Sequence, residues 1–415
     1  MLNKILWRSR ATWKNIELGP SEPTSYILEA FSKDANHLKV NLAIDSYRDE
    51  NLRPWILPSV RKAEELIINS DHDYTPIEGF PEFIKAATLL AYGPCSEISE
   101  GRVASIQALS GTGALRMGMA FLHQYFPHSK TVYFPKPTIE NHKIIARDSG
   151  LEVKDYAYYD QNNKIIDISN LLFEIDAAPS NSIIIFHASA HNPTGTDPTK
   201  SQWEQIHEVV ARKGHLPFFY IANQGFASGN PDDDVYPVRY FLQQNTQILL
   251  AQSFARNFGL YGDRVGLLSV ICENKIECEN VMSQLKVLER PFFGMPPKHG
   301  GEIVGTILNN AELYKQWRKD LLQMYTRITE NRSKLVNKLI DRGSVHDWNH
   351  IRDQVGMYAY TGMSPHQCHA LMNFKHIYLF YNGKMSLSGL NDQNLDYVAE
   401  SIDEMTRYAP KYKYS

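Results

Sequence analysis

The sequence has 415 residues, of which 43% are apolar and 21% are charged, a balance typical of a soluble globular protein. This length suggests two domains, or one large α/β body with a smaller unit attached. Lys and Arg number 43 against 46 Asp and Glu, so the formal net charge of −3 offers no basic face for a nucleic acid. No run approaches the roughly 18 apolar residues of a membrane-spanning helix. We therefore expect a soluble protein that binds neither nucleic acid nor a membrane.

The N-terminal segment at 1–14, MLNKILWRSRATWK, carries basic side chains and no acid, and a helix would place its apolar residues largely on one side. Such a segment is typical of a mitochondrial presequence. A basic surface arm has the same composition, so the residues alone leave both interpretations open. The absence of a long apolar core disfavours a secretory signal.

The cysteine content is low. Cys95, Cys272, Cys278 and Cys368 are too few for a disulfide framework in so long a chain. Cys272 and Cys278 are also too far apart for a CxxC metal or redox pair. A reducing compartment fits this content.

The middle of the chain alternates helical patterns with short apolar runs, as α/β proteins do. Apolar spacing predicts one helix around 60–67 and the start of another at Phe80. Several runs rich in Ile, Val, Phe and Leu predict buried parallel strands. They lie at 131–134, 183–186, 218–221, 248–251 and 265–271. A helix over 202–212 begins after Ser201, and Glu204 three residues later predicts a capping box.

Beyond about residue 322 the pattern changes. Apolar residues at helical spacing predict one long amphipathic helix from Leu313 through Leu339, which ends near Gly343. Short strands at 356–360 and 377–381 and a last helix over 395–408 predict a smaller α+β unit. A domain boundary near residue 323 would therefore fall inside one continuous helix.

The run SGTG at 110–113 leads into a helical pattern over 114–123. Small residues at a helix N-terminus expose backbone N–H groups, and two hydroxyls add donors, so this run predicts an anion cradle. A plain helix cap with permissive glycines explains the same residues. His187 and His191 lie in a strand-then-turn context, and the HQCH run at 366–369 has no second set of ligands. We therefore predict no metal site.

Nine segments together carry a stronger signal than any of them alone. In chain order they are YRDENLRPWILPSVRKAE, DYTPIEGF, SGTGAL, PKPTIENH, AHNPTG, NQGFASG, QSFARNFGLYGDRVG, LERPFFGMPP and HDWNHIRDQVGM. The set is similar to aspartate aminotransferase, a pyridoxal-phosphate (PLP) enzyme of fold type I. The likeness extends from about Trp13 to the last helix. The opening TWKNIELGPSEP resembles the mitochondrial form more than the cytosolic one, which favours the mitochondrial matrix over the cytoplasm.

The resemblance implies an α/β fold with a large PLP-binding domain at about 55–323, built on a mainly parallel seven-stranded sheet. A smaller α+β domain would join residues 20–54 to 324–415, and the presequence or arm would occupy 1–14. The resemblance also implies a homodimer with active sites at the subunit interface, acting on dicarboxylic amino and oxo acids.

The cofactor-binding half of the family site is present in this sequence. The resemblance assigns the phosphate cup to Ser110, Gly111, Thr112, Ser253 and Arg264. Asn192 corresponds to the asparagine that bonds the cofactor's ring oxygen. Tyr74 corresponds to the tyrosine that the other subunit supplies, and Arg290 to the arginine that reaches across the interface to the substrate's distal carboxylate.

The reacting half of the site differs. Arg256 stands where the family has the lysine that forms the Schiff base with PLP and then moves the proton. A guanidinium stays charged in proteins, so Arg256 can do neither. Tyr220 replaces the aspartate that keeps the pyridine nitrogen protonated. Asn223 replaces the tyrosine that bonds the ring oxygen, and Ile139 replaces the tryptophan that stacks on the ring.

The substrate end is changed as well. Lys384 stands where the family has the arginine that grips the α-carboxylate in a bidentate fork. Asp45 occupies a family glycine position beside that carboxylate, where a fixed negative charge repels an incoming one. We predict that Asp45 pairs with Lys384 or Arg256, because two unpartnered cations in a cleft are unfavourable. The alternative is a loop that swings outward and leaves Asp45 solvated.

Together these departures predict a homologue without ordinary transaminase activity, because loss of the Schiff-base lysine alone removes several powers of ten in rate. PLP could still bind without covalent attachment. One alternative is an active or residually active aspartate aminotransferase. Another is a non-catalytic partner that forms a mixed dimer with an active relative. A third is a small-molecule binding protein, or a PLP enzyme of altered chemistry, that uses Arg256 as a cation.

Overall fold

The structure is a computed structural model that describes residues 13–19 and 23–407. The helices, in chain order, are α1 (Pro23–Lys33), α2 (Pro58–Ile67), α3 (Pro81–Tyr92), α4 (Ser96–Ser99), α5 (Ser110–Tyr125), α6 (Glu140–Asp148), α7 (Ile168–Ala177), α8 (Lys200–Lys213), α9 (Pro231–Asp234), α10 (Tyr236–Gln243), α11 (Lys275–Phe293), α12 (Lys298–Asn309), α13 (Ala311–Asp341), α14 (Asn349–Asp353), α15 (Pro365–Lys375) and α16 (Leu395–Arg407). The strands, in chain order, are β1 (Val40–Asn41), β2 (Val103–Leu109), β3 (Thr131–Lys136), β4 (Glu152–Ala157), β5 (Tyr159–Asp160), β6 (Ile165–Ile166), β7 (Ile183–His187), β8 (Leu216–Ile221), β9 (Leu249–Ser253), β10 (Val265–Ile271), β11 (Tyr358–Tyr360), β12 (Ile377–Tyr378) and β13 (Lys384–Ser386). Most of the proposed presequence at 1–14 lies outside the described residues.

A seven-stranded sheet forms the centre of the chain, with the strand order β2-β10-β9-β8-β7-β3-β4. The strands from β9 to β4 run parallel, as predicted for β3, β7, β8 and β9. The prediction for 265–271 was wrong in direction, because β10 runs antiparallel to both β2 and β9. The connection at 254–264 is short and contains no crossover helix, whereas parallel strands need a crossover of about a dozen residues or more.

The sheet is buried on both faces, which is why its central strands have continuous apolar runs. In β7, Ile183 and Ile185 pack into one core cluster, and Ile184 and Phe186 pack into another on the opposite face. Helix α5 packs on β9 and β10, and the candidate site lies where β9 ends and α5 begins.

Helix α8 begins earlier than its sequence pattern suggested. Its capping box is formed by Thr199 and Gln202, and not by Ser201 and Glu204. Both pairs have the required spacing, and the Thr199 side chain accepts the Gln202 N–H at 3.2 Å.

The long helix α13 crosses the predicted boundary near residue 323 without a break, as the sequence indicated. Helices α14, α15 and α16 follow it. Two small sheets accompany them: β1, from the start of the chain, pairs parallel with β12, and β11 pairs antiparallel with β13. The exact division into domains remains a prediction. Within the described residues, no helix combines the length and apolar character that crossing a bilayer requires.

Candidate active site

The predicted anion cradle is assembled by the register of three neighbouring strands. Val265 lies opposite Leu109 at the end of β2, and Gly266 lies opposite Ser253 at the end of β9. This register brings the Ser110 and Ser253 hydroxyl oxygens to 3.0 Å from each other. The Ser110 N–H donates to the Arg264 carbonyl oxygen at 2.8 Å. Three of the predicted phosphate-cup residues therefore meet at the start of α5.

The first turn of α5 is built to face a ligand. Its N-cap residue Leu109 offers no side-chain acceptor, so side-chain capping does not satisfy the N–H groups of this turn. Ser110 and Arg264 both have positive φ, 60° and 55°, a costly backbone for residues with a side chain and one that clusters at binding sites. The helix N-terminus also favours negative charge.

Tyr220 extends from β8 towards this cradle. A Cβ added at Gly111 would lie 2.7 Å from Tyr220 Cε2 and 3.0 Å from its hydroxyl oxygen. Glycine is therefore required at position 111, and the Tyr220 phenol stands against the first turn of α5. On its other side the phenol ring meets the ring of His142, with centroids 4.5 Å apart. Burial raises the pKa of Tyr220 above the ordinary value of a tyrosine, so its hydroxyl stays neutral near neutral pH.

Three buried histidines lie next to Tyr220. His142 and His187 both contact its ring, and His187 contacts His191 at 4.6 Å between centroids. Burial lowers the pKa of all three, to about 3 for His187, so they are neutral at physiological pH. Tyr220, which the resemblance assigns to the pyridine nitrogen, is therefore surrounded on this side by uncharged imidazole rings.

The two asparagines expected near the ring oxygen are both buried. The Asn192 backbone N–H donates to His187 Nδ1 at 3.2 Å, and the Asn223 side-chain amide donates to the Ala190 carbonyl oxygen at 3.2 Å. Asn223 Oδ1 is buried and accepts no hydrogen bond from the described part of the chain. Asn223 therefore retains an acceptor that a donor on a ligand could satisfy.

Arg256 is held by side chains from two distant parts of the chain. Its Nη2 donates to the Tyr358 hydroxyl oxygen at 3.0 Å, and the Tyr358 hydroxyl in turn donates to Asp45 Oδ1 in a short hydrogen bond. Nη2 also lies 3.9 Å from that same carboxylate oxygen. Burial opposes the charge of Arg256, but Tyr358 and Asp45 outweigh it and raise the pKa of the guanidinium. Arg256 is therefore a fixed cation.

Lys384 approaches the same carboxylate from β13. Its Nζ lies 3.9 Å from Asp45 Oδ1, and the centroids of the Tyr358 and Phe380 rings are 4.3 Å and 4.1 Å from it. The side chain is only 11% exposed. Burial lowers the pKa of Lys384, Asp45 opposes this, and Arg256 adds to the decrease, giving a pKa of about 8.

The predicted pairing of Asp45 is confirmed: the carboxylate lies within 4 Å of both cations, with no direct hydrogen bond to either. Burial pushes its pKa up, but Lys384, Arg256 and the Tyr358 hydroxyl together hold the pKa of Asp45 below its usual range. The Asp45 side chain keeps 56% of its surface exposed, so solvent weakens both ion pairs. The outward, fully solvated alternative is wrong.

The sequence reasoning missed Tyr358 and Phe380. Residues 356–360 were expected only as a strand, yet Tyr358 bridges Arg256 to Asp45 and its ring covers Lys384. Tyr358 comes close to Lys384 because β11 and β13 pair in a register that places Tyr360 opposite Lys384 and Tyr358 opposite Ser386. That register cannot be deduced from either short strand alone.

The remaining predicted residues lie at the edge of the site or away from it. Ile139 is half-buried at the N-cap of α6. Tyr74 is 83% exposed and lines an open groove with residues 295–299. Arg290 is also exposed, near the end of α11. Within one chain, neither Tyr74 nor Arg290 forms a described hydrogen bond or ion pair with Arg256, Asp45 or Lys384.

Comparison with known proteins identifies this architecture. The family model of class I and II aminotransferases matches residues 38–402. The chain is 42% identical over 409 residues to the mitochondrial aspartate aminotransferase of Xenopus tropicalis, covering 98% of this chain and 96% of that protein. It is 43% identical over 398 residues to the mitochondrial aspartate aminotransferase of Dictyostelium discoideum, covering 95% and 93%.

Solved structures agree with the sequence relatives. Cytoplasmic aspartate aminotransferase of Saccharomyces cerevisiae superposes with a TM-score of 0.93 at 40% identity, covering 95% of this chain and 98% of that one. An aromatic-amino-acid aminotransferase of Burkholderia pseudomallei, covalently bound to pyridoxal phosphate, superposes with a TM-score of 0.92 at 35% identity, covering 95% and 100%.

The fold is therefore that of a PLP-dependent transferase of fold type I, as the resemblance implied. The chain belongs to the class I and II aminotransferase family, and within it is a homologue of the mitochondrial aspartate aminotransferases. The family is PLP-dependent, and its members are typically homodimers that use amino and oxo acids.

The residues of this chain fit PLP at one end only. Ser110, Ser253 and the first turn of α5 suit a phosphate. At the reacting end, Arg256 cannot form a Schiff base and is already bonded to Tyr358. The Tyr220 phenol stands against the cradle and carries no charge for a pyridinium. With the roles that the resemblance assigns, these residues suit a phosphate but not the Schiff-base chemistry of the family cofactor.

Proposed function

We propose that this chain is an aspartate aminotransferase homologue without ordinary transaminase activity towards L-aspartate and 2-oxoglutarate. The observation that carries the proposal is Arg256, a permanently charged side chain held by Tyr358 and Asp45 at the predicted Schiff-base position. Neither covalent attachment of the cofactor nor proton transfer at the substrate carbon is possible from a guanidinium.

The substrate end supports the same proposal. An incoming α-carboxylate would have to displace Asp45 from two cations, one of which is an ammonium that cannot form a bidentate fork. The Tyr220 phenol supplies none of the charge with which an aspartate would stabilise a protonated pyridine. Three separate requirements of transamination are therefore unmet in one pocket.

We propose that the phosphate cradle is retained as a non-covalent binding site. Ser110, Ser253 and Arg264 remain together although the reactive groups are replaced. PLP itself or another phosphate-bearing molecule would bind there through the helix N-terminus and hydroxyl donors.

A second candidate function is that of a structural partner in a mixed dimer with an active relative. It is favoured by the exposure of Tyr74 and Arg290, the two residues that the family resemblance assigns to the opposite subunit's site. A chain without transaminase activity that keeps Tyr74 and Arg290 could complete the active site of a catalytically active partner. The names of the relatives support a mitochondrial location, with the cytoplasm as the alternative.

The decisive experiment is a steady-state assay of the purified full chain with PLP, L-aspartate and 2-oxoglutarate. An active aspartate aminotransferase assayed in parallel provides the reference. We expect no turnover above the rate of PLP alone. Turnover within about a hundredfold of the reference, roughly 2.7 kcal/mol of barrier, would contradict the proposal.

The mixed-dimer proposal is tested by co-expressing this chain and an active relative with different affinity tags. Purification over both tags should yield a heterodimer with one functional site. In that heterodimer, Tyr74→Phe and Arg290→Gln in this chain should impair the partner's site. Recovery of separate homodimers only would contradict the proposal.

A further inference from the structure

Lys384 is an unusual amine within the described residues. It begins β13, lies between two aromatic rings, and makes one long ion pair of 3.9 Å to Asp45. Its ammonium donates no hydrogen bond to any acceptor within residues 13–19 and 23–407. Aromatic faces favour a cation, but they replace the lost hydration of a buried ammonium only in part.

The charges around Lys384 are unbalanced. Arg256 and Lys384 are both 3.9 Å from the same oxygen of Asp45, and the nearby Tyr358 hydroxyl is neutral. With both cations charged, the cluster carries one excess positive charge in a mostly buried place. Arg256 cannot release a proton, whereas Lys384 can. The cluster can therefore lose its excess charge only at Lys384, and a neutral amine is a nucleophile.

A second feature points to the ligand. Arg256 uses Nη2 towards Tyr358, while its Nε is buried and has no acceptor in the described part of the chain. A buried donor without a partner is costly, and a carboxylate is the acceptor that a guanidinium prefers. While Lys384 is protonated, one more negative charge would also bring the cluster to neutrality.

We propose that Lys384 condenses with small α-oxo acids, whose carboxylate is held by Arg256. The proposal places a Schiff-base lysine at a position different from the family one. It goes beyond the proposed function and does not depend on it, because a pocket without transaminase activity can still contain a carbonyl-reactive amine.

The chemistry balances without a further reactant. The neutral Lys384 amine adds to the ketone carbon, and the C=N bond then forms as the C=O bond breaks. The oxygen leaves as water with one proton from the amine and one from solvent. The product is a protonated imine, so no oxidant or reductant is needed. The iminium and Arg256 then face Asp45 and the oxo acid's own carboxylate, two positive charges against two negative ones.

The test is reductive trapping on the full chain. Pyruvate and cyanoborohydride are added near neutral pH, and the modified lysines are located by peptide mapping with a protease that does not cut at lysine. Lys33 serves as the internal reference, because its side chain is 74% exposed and Glu29 raises its pKa. We expect Lys384 to be modified at least about tenfold faster than Lys33.

Recognition of the carboxylate is tested separately with methyl pyruvate, which has the same ketone and no negative charge. Lys384 should react in preference with the acid, and Lys33 should show no such preference. In Arg256→Gln, the preference should disappear, and the pH midpoint of Lys384 labelling should rise because a neighbouring cation has been removed. Labelling of Lys384 no faster than Lys33, or without preference for the acid, would overturn the proposal. Neither result would alter the transaminase assay.

Discussion

Among the described residues, Asp45 is the one carboxylate within 4 Å of Arg256 and Lys384, so its removal has a predictable electrostatic result. In Asp45→Asn, Arg256 and Lys384 lose the anion that lies 3.9 Å from each of them. An external carboxylate can then take its place. We predict that the variant binds succinate, a dicarboxylate without a reactive carbonyl, more tightly than the unchanged protein does.

The size of the effect follows from the distances. At about 4 Å, a pair of unit charges gains roughly 1 kcal/mol in water and roughly 4 kcal/mol at an effective dielectric constant of about 20. The Asp45 side chain is 56% exposed, so the lower value applies to each pair. Two pairs give about 2 kcal/mol, part of which succinate loses again through its own desolvation. A gain of about tenfold in affinity, or roughly 1.4 kcal/mol, is therefore expected.

Isothermal titration with succinate at low ionic strength measures this gain. The titration should be run near pH 6, because Asp45 raises the pKa of Lys384 and its removal makes the amine easier to deprotonate. Glu330→Gln is the matched control, since Glu330 is exposed on α13 and has no ion pair in the described part of the chain. Equal affinities in the two variants would refute the reasoning, since they would mean that Asp45 does not occupy the carboxylate position.

Three further predictions concern single substitutions. Arg256→Lys alone should not restore substantial turnover in a steady-state aspartate assay, because Tyr220 still offers no charge to a pyridine nitrogen; near-family turnover would contradict this. Tyr358→Phe should lower the free energy of unfolding by about 1.5–3 kcal/mol in denaturant titrations, since it removes hydrogen bonds to two charged groups; an unchanged value would contradict this. Glu289 is fully buried without a hydrogen-bond partner in the described residues, and burial together with Glu78 raises its pKa to about 9. Since the unfolded carboxyl loses its proton above about pH 4.5, stability should fall between pH 5 and about 9, and Glu289→Gln should flatten that fall.

Much of the fold could be predicted because its signals are local. The apolar runs of the central strands and the long stripe of α13 depend on residues close together in sequence, and both were found in place. The direction of β10 could not be predicted from its composition, because a strand buried on both faces has the same apolar run in either direction. Only the short connection at 254–264 indicates that β10 runs antiparallel to β9.

The candidate site was also predictable in part. The pairing of Asp45 with Lys384 or Arg256 was predictable, because two unpartnered cations in a cleft are unfavourable, and the structure places Asp45 3.9 Å from both. The bridging hydroxyl of Tyr358 was not predictable, since it lies 313 residues from Asp45 and depends on the register of two three-residue strands. The contact between Tyr220 and Gly111 was also not predictable, because the residue type shows what a side chain can do chemically but not which way it points in the fold.

Compared with the family, this pocket lacks a carboxylate at position 220 and has one at position 45 instead. The family resemblance places an aspartate at position 220, at the pyridine nitrogen of the cofactor, and a glycine at position 45, at the substrate end. This chain has a neutral phenol at the first position and a carboxylate at the second, where Asp45 lies between Arg256 and Lys384. An aspartate restored at 220 alone would leave Arg256 in place, which cannot form the Schiff base. A lysine restored at 256 would pair with Asp45 and stay protonated, when the family reaction requires a neutral amine. Each replacement is thus electrostatically consistent with the others, and we therefore expect measurable transamination only when positions 45, 220, 256 and 384 are changed together.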